Sequence, residues 1–218
     1  MNPESFPCQL ISWNESYELG RRLAYEIKHS GFRPDLIVAI GRGGYVPARV
    51  VSDFLLFSLL ASIKIEHWDT AACMRPHATV RFPLAVDVSG KKVLIIDDVT
   101  DTGETLRTAV DYIRELGAAE IRTGVLQHKT VSPFVPDYYG EVVAEWKWII
   151  YPWAAHEDLV GLAERVLSVE AQSAREIGER LKERYGLVLE ESTLSEVVEE
   201  LVATGRAQVQ EEMYRRAE

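Results

Sequence analysis

Four apolar residues, Val93-Leu94-Ile95-Ile96, run straight into two carboxylates, Asp97 and Asp98, and this junction constrains the chain more than any other. An unbroken apolar run of this length is the signature of a strand buried in a sheet. Val99 and Thr100 carry it on to Asp101, Thr102 and Gly103. From Glu104 the pattern changes to helical period: Leu106, Ala109, Val110, Ile113 and Leu116 recur at intervals of three and four, and Gly117 supplies the stop. The order is therefore strand, acidic lip, tight turn and helix N-terminus.

Each part of that junction has a physical task open to it. A helix N-terminus presents unpaired N–H groups and a partial positive charge, which suits a phosphate. Thr102 and Thr105 add hydroxyl donors, and Gly103 lets an anion approach the backbone closely. Asp97 and Asp98 would repel the same phosphate, but carboxylates suit hydroxyl donors such as a ribose diol, or a hydrated Mg²⁺. An ordinary strand-to-helix turn with acidic caps is the plain alternative. Three carboxylates at the end of a buried strand are costly without such partners.

The run from Val93 to Thr105 resembles the phosphoribosyl-diphosphate (PRPP) motif of type I phosphoribosyltransferases: apolar residues, two acids, two spacers, then Asp-Thr-Gly-x-Thr. It is not a Gly-x-x-x-x-Gly-Lys-Ser/Thr loop, and Gly41-Arg42-Gly43 has Val46 where a dinucleotide fingerprint needs its third glycine. The resemblance implies an α/β fold of the type I phosphoribosyltransferase kind, a mainly parallel sheet flanked by helices. It also implies roles. Asp97, Asp98, Thr102, Gly103, Glu104 and Thr105 would bind the ribose 5-phosphate part of PRPP, with Asp98 reaching Mg²⁺ through water. Asp101 would face the attacking nitrogen of the base as the catalytic acid–base group.

Elsewhere the chain repeats the theme. Ser12-Trp13-Asn14-Glu15 is a capping box opening a helix over residues 13–30. Leu36 to Ile40 is a second apolar strand, delivering Gly41-Arg42-Gly43-Gly44 to another helix start. Glycines at such turns are commonly steric, yet this turn can also offer N–H groups to an anion, with Arg42 as a clamp. In the family the matching loop grips pyrophosphate, which assigns Arg42 and Gly43 there. Leu59 to Ile65 is a strand, and His67 to Pro83 loses periodicity and reads as a long loop. The family has a mobile lid there, with Arg75 or Arg81 as the residue meeting pyrophosphate.

Further on, Ile121 to Leu126 is a strand leading to Lys129, which resembles the base-contacting lysine of 6-oxopurine phosphoribosyltransferases. Trp146 and Trp153 read as core aromatics, whereas Trp148-Ile149 followed by Pro152-Trp153 resembles the nucleobase hood of xanthine–guanine-type enzymes. There Trp148 would stack on the purine and Ile149 would meet its edge through the backbone. Related enzymes follow Pro-Trp with an acid; here Ala154, Ala155 and His156 intervene before Glu157 and Asp158.

Residues 156–218 are helical and charge-laced, and form a small module set off from a phosphoribosyltransferase domain over 1–155. A three-helix bundle fits them; so does a winged helix with Arg206 to Tyr214 as the wing. Acids outnumber bases in this stretch, and the whole chain carries a formal charge of −10 at pH 7, both unfavourable to nucleic acid. No apolar stretch approaches membrane-spanning length, and the first residues lack a signal pattern, so a soluble cytoplasmic chain is expected. Cys8 and Cys73 form no Cys-x-x-Cys pair.

The expected activity is purine salvage: transfer of phosphoribosyl from PRPP to a purine, releasing pyrophosphate and a nucleoside monophosphate, by a Mg²⁺-dependent homodimer. Lys129 favours a 6-oxo acceptor, hypoxanthine, guanine or xanthine. The missing acid after Trp153 and the helical third, which resembles a group of archaeal adenine phosphoribosyltransferases, favour adenine, and the balance falls on adenine and AMP. A PRPP-sensing transcriptional regulator is the reading from a different class.

Overall fold

A computed structural model of the chain describes residues 4–69 and 73–217, with the backbone alone for residues 67–69 and 73–77. In chain order the elements are β1 (Cys8–Leu10), α1 (Trp13–His29), β2 (Leu36–Gly41), α2 (Tyr45–Leu55), β3 (Leu60–Asp69), β4 (Cys73–Phe82), β5 (Lys92–Thr100) and α3 (Glu104–Glu115). Then come β6 (Glu120–Lys129), β7 (Tyr138–Val143), β8 (Trp148–Ile150), α4 (Ala155–Val166), β9 (Gln172–Ser173) and α5 (Ala174–Tyr185). The last three are α6 (Glu191–Ala203), β10 (Ala207–Gln210) and β11 (Met213–Arg216).

The chain folds as two compact units, one of residues 12–69 and 74–146, the other of residues 4–11, Cys73 and 147–217. The sequence places the boundary between 155 and 156; the structure moves it to 147 and adds the N-terminal segment to the helical unit. Strand pairing explains both changes. β1 lies parallel to β8, with Cys8 opposite Trp148 and Leu10 opposite Ile150, so the two segments share one unit.

The first unit is a six-stranded sheet in the order β4-β3-β2-β5-β6-β7. The pairs β2·β3, β2·β5, β5·β6 and β6·β7 are all parallel. Every residue of β2 is buried, as its apolar run requires in a sheet covered on both faces. On one face Leu106, Ala109 and Ile113 of α3 pack into a core with Val38, Ile40, Ile63, Val93, Ile95 and Val125. On the other, α1 and α2 approach closely because Gly20 leaves room for Val50 of α2 and Leu126 of β6. α1 opens with the complete Ser12/Glu15 capping box and runs to His29, one residue short of the expected end.

Residues 67–69 and 73–82 are strand, where the sequence suggests a long loop over 67–83, and residues 70–72 lie outside the described residues. β3 continues to Asp69 and β4 occupies Cys73–Phe82 at the sheet edge. An edge strand tolerates Pro76, whose missing N–H costs no central ladder bond, and it needs no apolar alternation. Those two properties hid it. The side chains of Arg75 and His77 lie outside the described residues, and Arg81 is exposed.

In the second unit α4, α5 and α6 accompany a three-stranded sheet ordered β10-β11-β9, with both of its pairings antiparallel. The order helix, strand, helix, helix, then hairpin is the winged-helix arrangement, so of the two forms expected the second is found. The hairpin turns at Glu211 and Glu212, both at positive φ, 51° and 60°, as a two-residue turn between twisted strands demands. α5 closes with Gly186 in the left-handed region. Phe6 covers Tyr185, with ring centroids 4.9 Å apart.

Candidate active site

β2 and β5 are neighbours, but the chain leaves β2 through α2 toward β3 and leaves β5 through α3 toward β6 on the opposite side. The strand order thus reverses between β2 and β5, and the carboxyl ends of two such strands flank the crevice where open α/β sheets take their ligands. Both turns singled out in the sequence lie at this crevice. The turn after β2 holds Gly41, Arg42, Gly43 and Gly44, with a cis peptide between Gly41 and Arg42. α2 begins at Gly44 with no side-chain cap.

The glycines here are steric, and they also bring the two turns together. A Cβ on Gly44 would collide with the carbonyl oxygens of Ile96 and Ile40, and one on Gly43 would overlap the Asp98 carboxylate. Asp98 is therefore seated against the Arg42-Gly43 turn. Arg42 itself is exposed.

β5 does not stop at Ile96 but runs through both acids to Thr100. Consecutive strand residues face opposite sides of a sheet, so Asp97 and Asp98 have unlike settings. Asp98 is half-buried, and its Oδ1 accepts the Val99 N–H at 2.8 Å. Asp97 is only 6% exposed, and its Oδ1 accepts the Asp98 N–H at 3.0 Å. Burial, and after it the neighbouring Asp98 charge, pushes the Asp97 carboxyl well above the ordinary carboxylate range, against the Asp98 N–H and Lys64.

A carboxyl whose folded value is raised loses stability as pH climbs from its unfolded value through its folded one, because the unfolded chain gives up that proton first. Asp97→Asn is therefore expected to melt at a higher temperature than the natural chain near neutral pH. The gap should close as pH falls into the ordinary carboxylate range. Calorimetry at two pH values checks this; equal melting temperatures near neutrality would show that the charge is already accommodated.

The turn into α3 needs Gly103 twice over: its φ is 78°, and a Cβ there would strike Phe134 and press on Ser132. α3 starts from this glycine without a side-chain cap, and Thr102 Oγ1 receives only a long 3.4 Å bond from the Glu104 N–H. Thr102 and Thr105 are half-buried, and Glu104 is exposed. An uncapped helix N-terminus flanked by hydroxyls is able to take an anion.

Asp101, one residue beyond β5, is buried with both oxygens engaged. Oδ2 pairs with Lys129 Nζ at 2.7 Å, and Oδ1 accepts the Trp146 indole N–H at 3.0 Å. Lys129 is 1% exposed at the end of β6, and its ammonium lies 4.9 Å from the centroid of the Trp146 ring. The sequence reads Trp146 as core; the structure puts its polar edge on Asp101. Nothing in the sequence marks this bond, which joins residues 45 apart.

Trp148 and Ile149 fall in the second unit. Ile149 is buried in β8 opposite Gln9, and the half-buried Trp148 donates its indole N–H to Asp158 at 3.2 Å. Asp158, buried in the first turn of α4, is the acid that holds the tryptophan. Trp153 stacks on Tyr151 with centroids 4.8 Å apart.

Among the described residues no group of three or more His, Cys, Asp or Glu side chains converges as a metal cage. Asp98, with one oxygen bonded to backbone and the carboxylate seated at the glycine turn, is the residue that could hold a hydrated Mg²⁺. No helix among these residues is long and apolar enough to cross a membrane.

The family described as Phosphoribosyl transferase domain matches residues 9–158. The chain is 34% identical to a hypoxanthine-guanine phosphoribosyltransferase of Saccharomyces cerevisiae, over 66% of this chain and 85% of that one. It is 28% identical to a xanthine-guanine phosphoribosyltransferase of Gluconobacter oxydans, over 69% of this chain and 87% of the relative. Among solved structures, a purine phosphoribosyltransferase from Pyrococcus horikoshii Ot3 superposes with a TM-score of 0.57 at 30% identity, over 67% of this chain and 93% of that one.

Proposed function

This chain belongs to the phosphoribosyl transferase domain family, and on that premise we propose that it is an enzyme transferring phosphoribosyl from PRPP to a 6-oxopurine base with release of pyrophosphate. The observation that carries the proposal is the meeting of two ligand-ready turns at one crevice, with the Asp98 carboxylate against Gly43 and the uncapped start of α3 following. Thr102, Gly103, Glu104 and Thr105 would hold the 5′-phosphate, Asp97 and Asp98 the ribose hydroxyls, and Arg42 with Gly43 the pyrophosphate. Mg²⁺, reached by Asp98 through water, would neutralise the charge on the leaving pyrophosphate.

In the reaction a ring nitrogen bonds to the anomeric carbon as the bond from that carbon to pyrophosphate breaks. Positive charge develops on the sugar, so the chain's task is positioning and electrostatics. Asp101 would accept the proton of the base's second imidazole nitrogen, or stabilise the cationic ring. Each of its oxygens keeps a second lone pair beside the bond it already makes.

The acceptor is where the reading moves away from the sequence-based balance. A lysine ammonium is a donor only, so it suits the O6 of hypoxanthine, guanine or xanthine and not the amino group of adenine. The Asp101 contact and the Trp146 ring hold that ammonium as a cation. The relatives' names point the same way, so the 6-oxo alternative replaces adenine. For Trp148 and Ile149 the base-stacking and base-edge roles rest on the hood motif of the sequence alone.

One feature favours a second reading. The winged-helix arrangement is common in DNA-binding regulators, but here the exposed face of α6 carries Glu196 and Glu199, and the wing tip is Glu211-Glu212. Those acids oppose phosphate. Pyrophosphate release should be measured from PRPP and Mg²⁺ with hypoxanthine, guanine, xanthine and adenine in separate reactions. The fastest rate is expected with a 6-oxopurine. Adenine fastest would reverse the acceptor assignment, and no rate with any base, together with PRPP-sensitive DNA retention, would favour the regulator.

A further inference from the structure

The geometry points to Trp146 as a positioning residue for Asp101, an inference that rests on the proposed catalytic role of Asp101. Trp146 touches both members of the buried Asp101–Lys129 pair. Its N–H bonds Asp101 Oδ1 at 3.0 Å while its ring lies under Lys129 Nζ at 4.9 Å. With Lys129 on Oδ2 at 2.7 Å, the carboxylate is held at both oxygens and its plane is fixed. A carboxylate bonded at one oxygen alone rotates about its terminal torsion, which is broad and soft. A second donor removes that freedom.

The direction of the restraint matters. Asp101 sits where β5 gives way to the turn before α3, so backbone alone does not set its side chain. Lys129 at the end of β6 supplies one anchor and Trp146, beyond β7, the other. A base nitrogen is then presented with an acceptor lone pair in one orientation, which is where positioning lowers a barrier. The half-buried indole also shields the ion pair from water on its side, which strengthens the pair.

Trp146→Phe keeps a ring for the Lys129 ammonium and removes only the donor. For a positioning residue kcat should fall by about tenfold, the worth of one hydrogen bond to a charged group made good only in the oriented state. KM for PRPP should stay within about twofold, since Trp146 is assigned no contact with it. A simple packing role would lower stability and leave kcat of the folded fraction alone. The bond has a readout that needs no turnover. The chain has five tryptophans, and in protein labelled with ¹⁵N-tryptophan the indole resonance lost in Trp146→Phe should move in Asp101→Asn.

A fall in kcat with a moving resonance supports the inference. Unchanged kcat in Trp146→Phe, or a Trp146 resonance indifferent to Asp101→Asn, overturns it. An inactive natural chain overturns the reading of function and with it the role in turnover; the resonance experiment still decides whether the bond exists.

Discussion

Asp101→Asn is expected to lower turnover with every purine by about 10²–10⁴-fold, the range a positioned acid–base group supplies, while PRPP binding stays within a few-fold of normal. Asparagine is chosen over alanine for a structural reason. Lys129 is 1% exposed and bonded to this carboxylate, and alanine would leave that ammonium without its acceptor. The amide keeps an oxygen for Lys129 and gives up the acceptor for the Trp146 indole along with the charge and the basicity, a smaller disturbance than leaving the buried ammonium unpaired. Turnover is read by pyrophosphate release and PRPP affinity by calorimetric titration. Turnover within about threefold of normal would remove Asp101 from the mechanism.

The second large effect concerns Lys129. Lys129→Met keeps the bulk and strips the charge, leaving Asp101 a buried carboxylate with the Trp146 donor at its other oxygen. Breaking one side of a buried ion pair costs about 3–5 kcal/mol, a fall in melting temperature of roughly 6 °C or more for a protein of this size. The double variant Lys129→Met/Asp101→Asn should regain much of that, since no charge is then left unpaired. Selectivity changes too. With the donor gone, hypoxanthine should lose its advantage over adenine by about tenfold or more, because the 6-oxo group has lost a charged partner. A variant that melts normally and keeps its preference would show that Lys129 faces neither Asp101 nor the base in solution.

How far the site was legible follows from how local each signal is. The β5–α3 junction is written in consecutive residues: the apolar run, the acids, the left-handed Gly103 and the helical period after it each have a local physical cause, and all are found. Gly43 was legible as a turn glycine, but its partner Asp98 was not, because that contact needs β2 and β5 to be neighbours. The same holds for Trp146, which the sequence presents only as a core aromatic. β4 is hard to read from sequence because an edge strand need not alternate, and β9 because two residues carry no pattern; β10 and β11 are legible only as the wing of one of the two forms expected. That Asp158 meets Trp148 is likewise visible only in the fold.

One consequence of strand pairing reaches beyond the site. The helical unit takes its first strand, β1, and Phe6 from the start of the chain, and its remaining elements from beyond residue 147. The sheet unit is thus, in chain order, an insertion inside the other. On a ribosome β1 emerges first and must wait, unpaired, until β8 appears; Phe6 waits longer still, for Arg184 to accept its N–H at 3.0 Å and for Tyr185 to meet its ring. Folding the sheet unit early eases the later pairing, because it gathers the intervening chain and lowers the entropic cost of bringing the two ends together. What the sheet unit contributes to the other is a shorter loop to close.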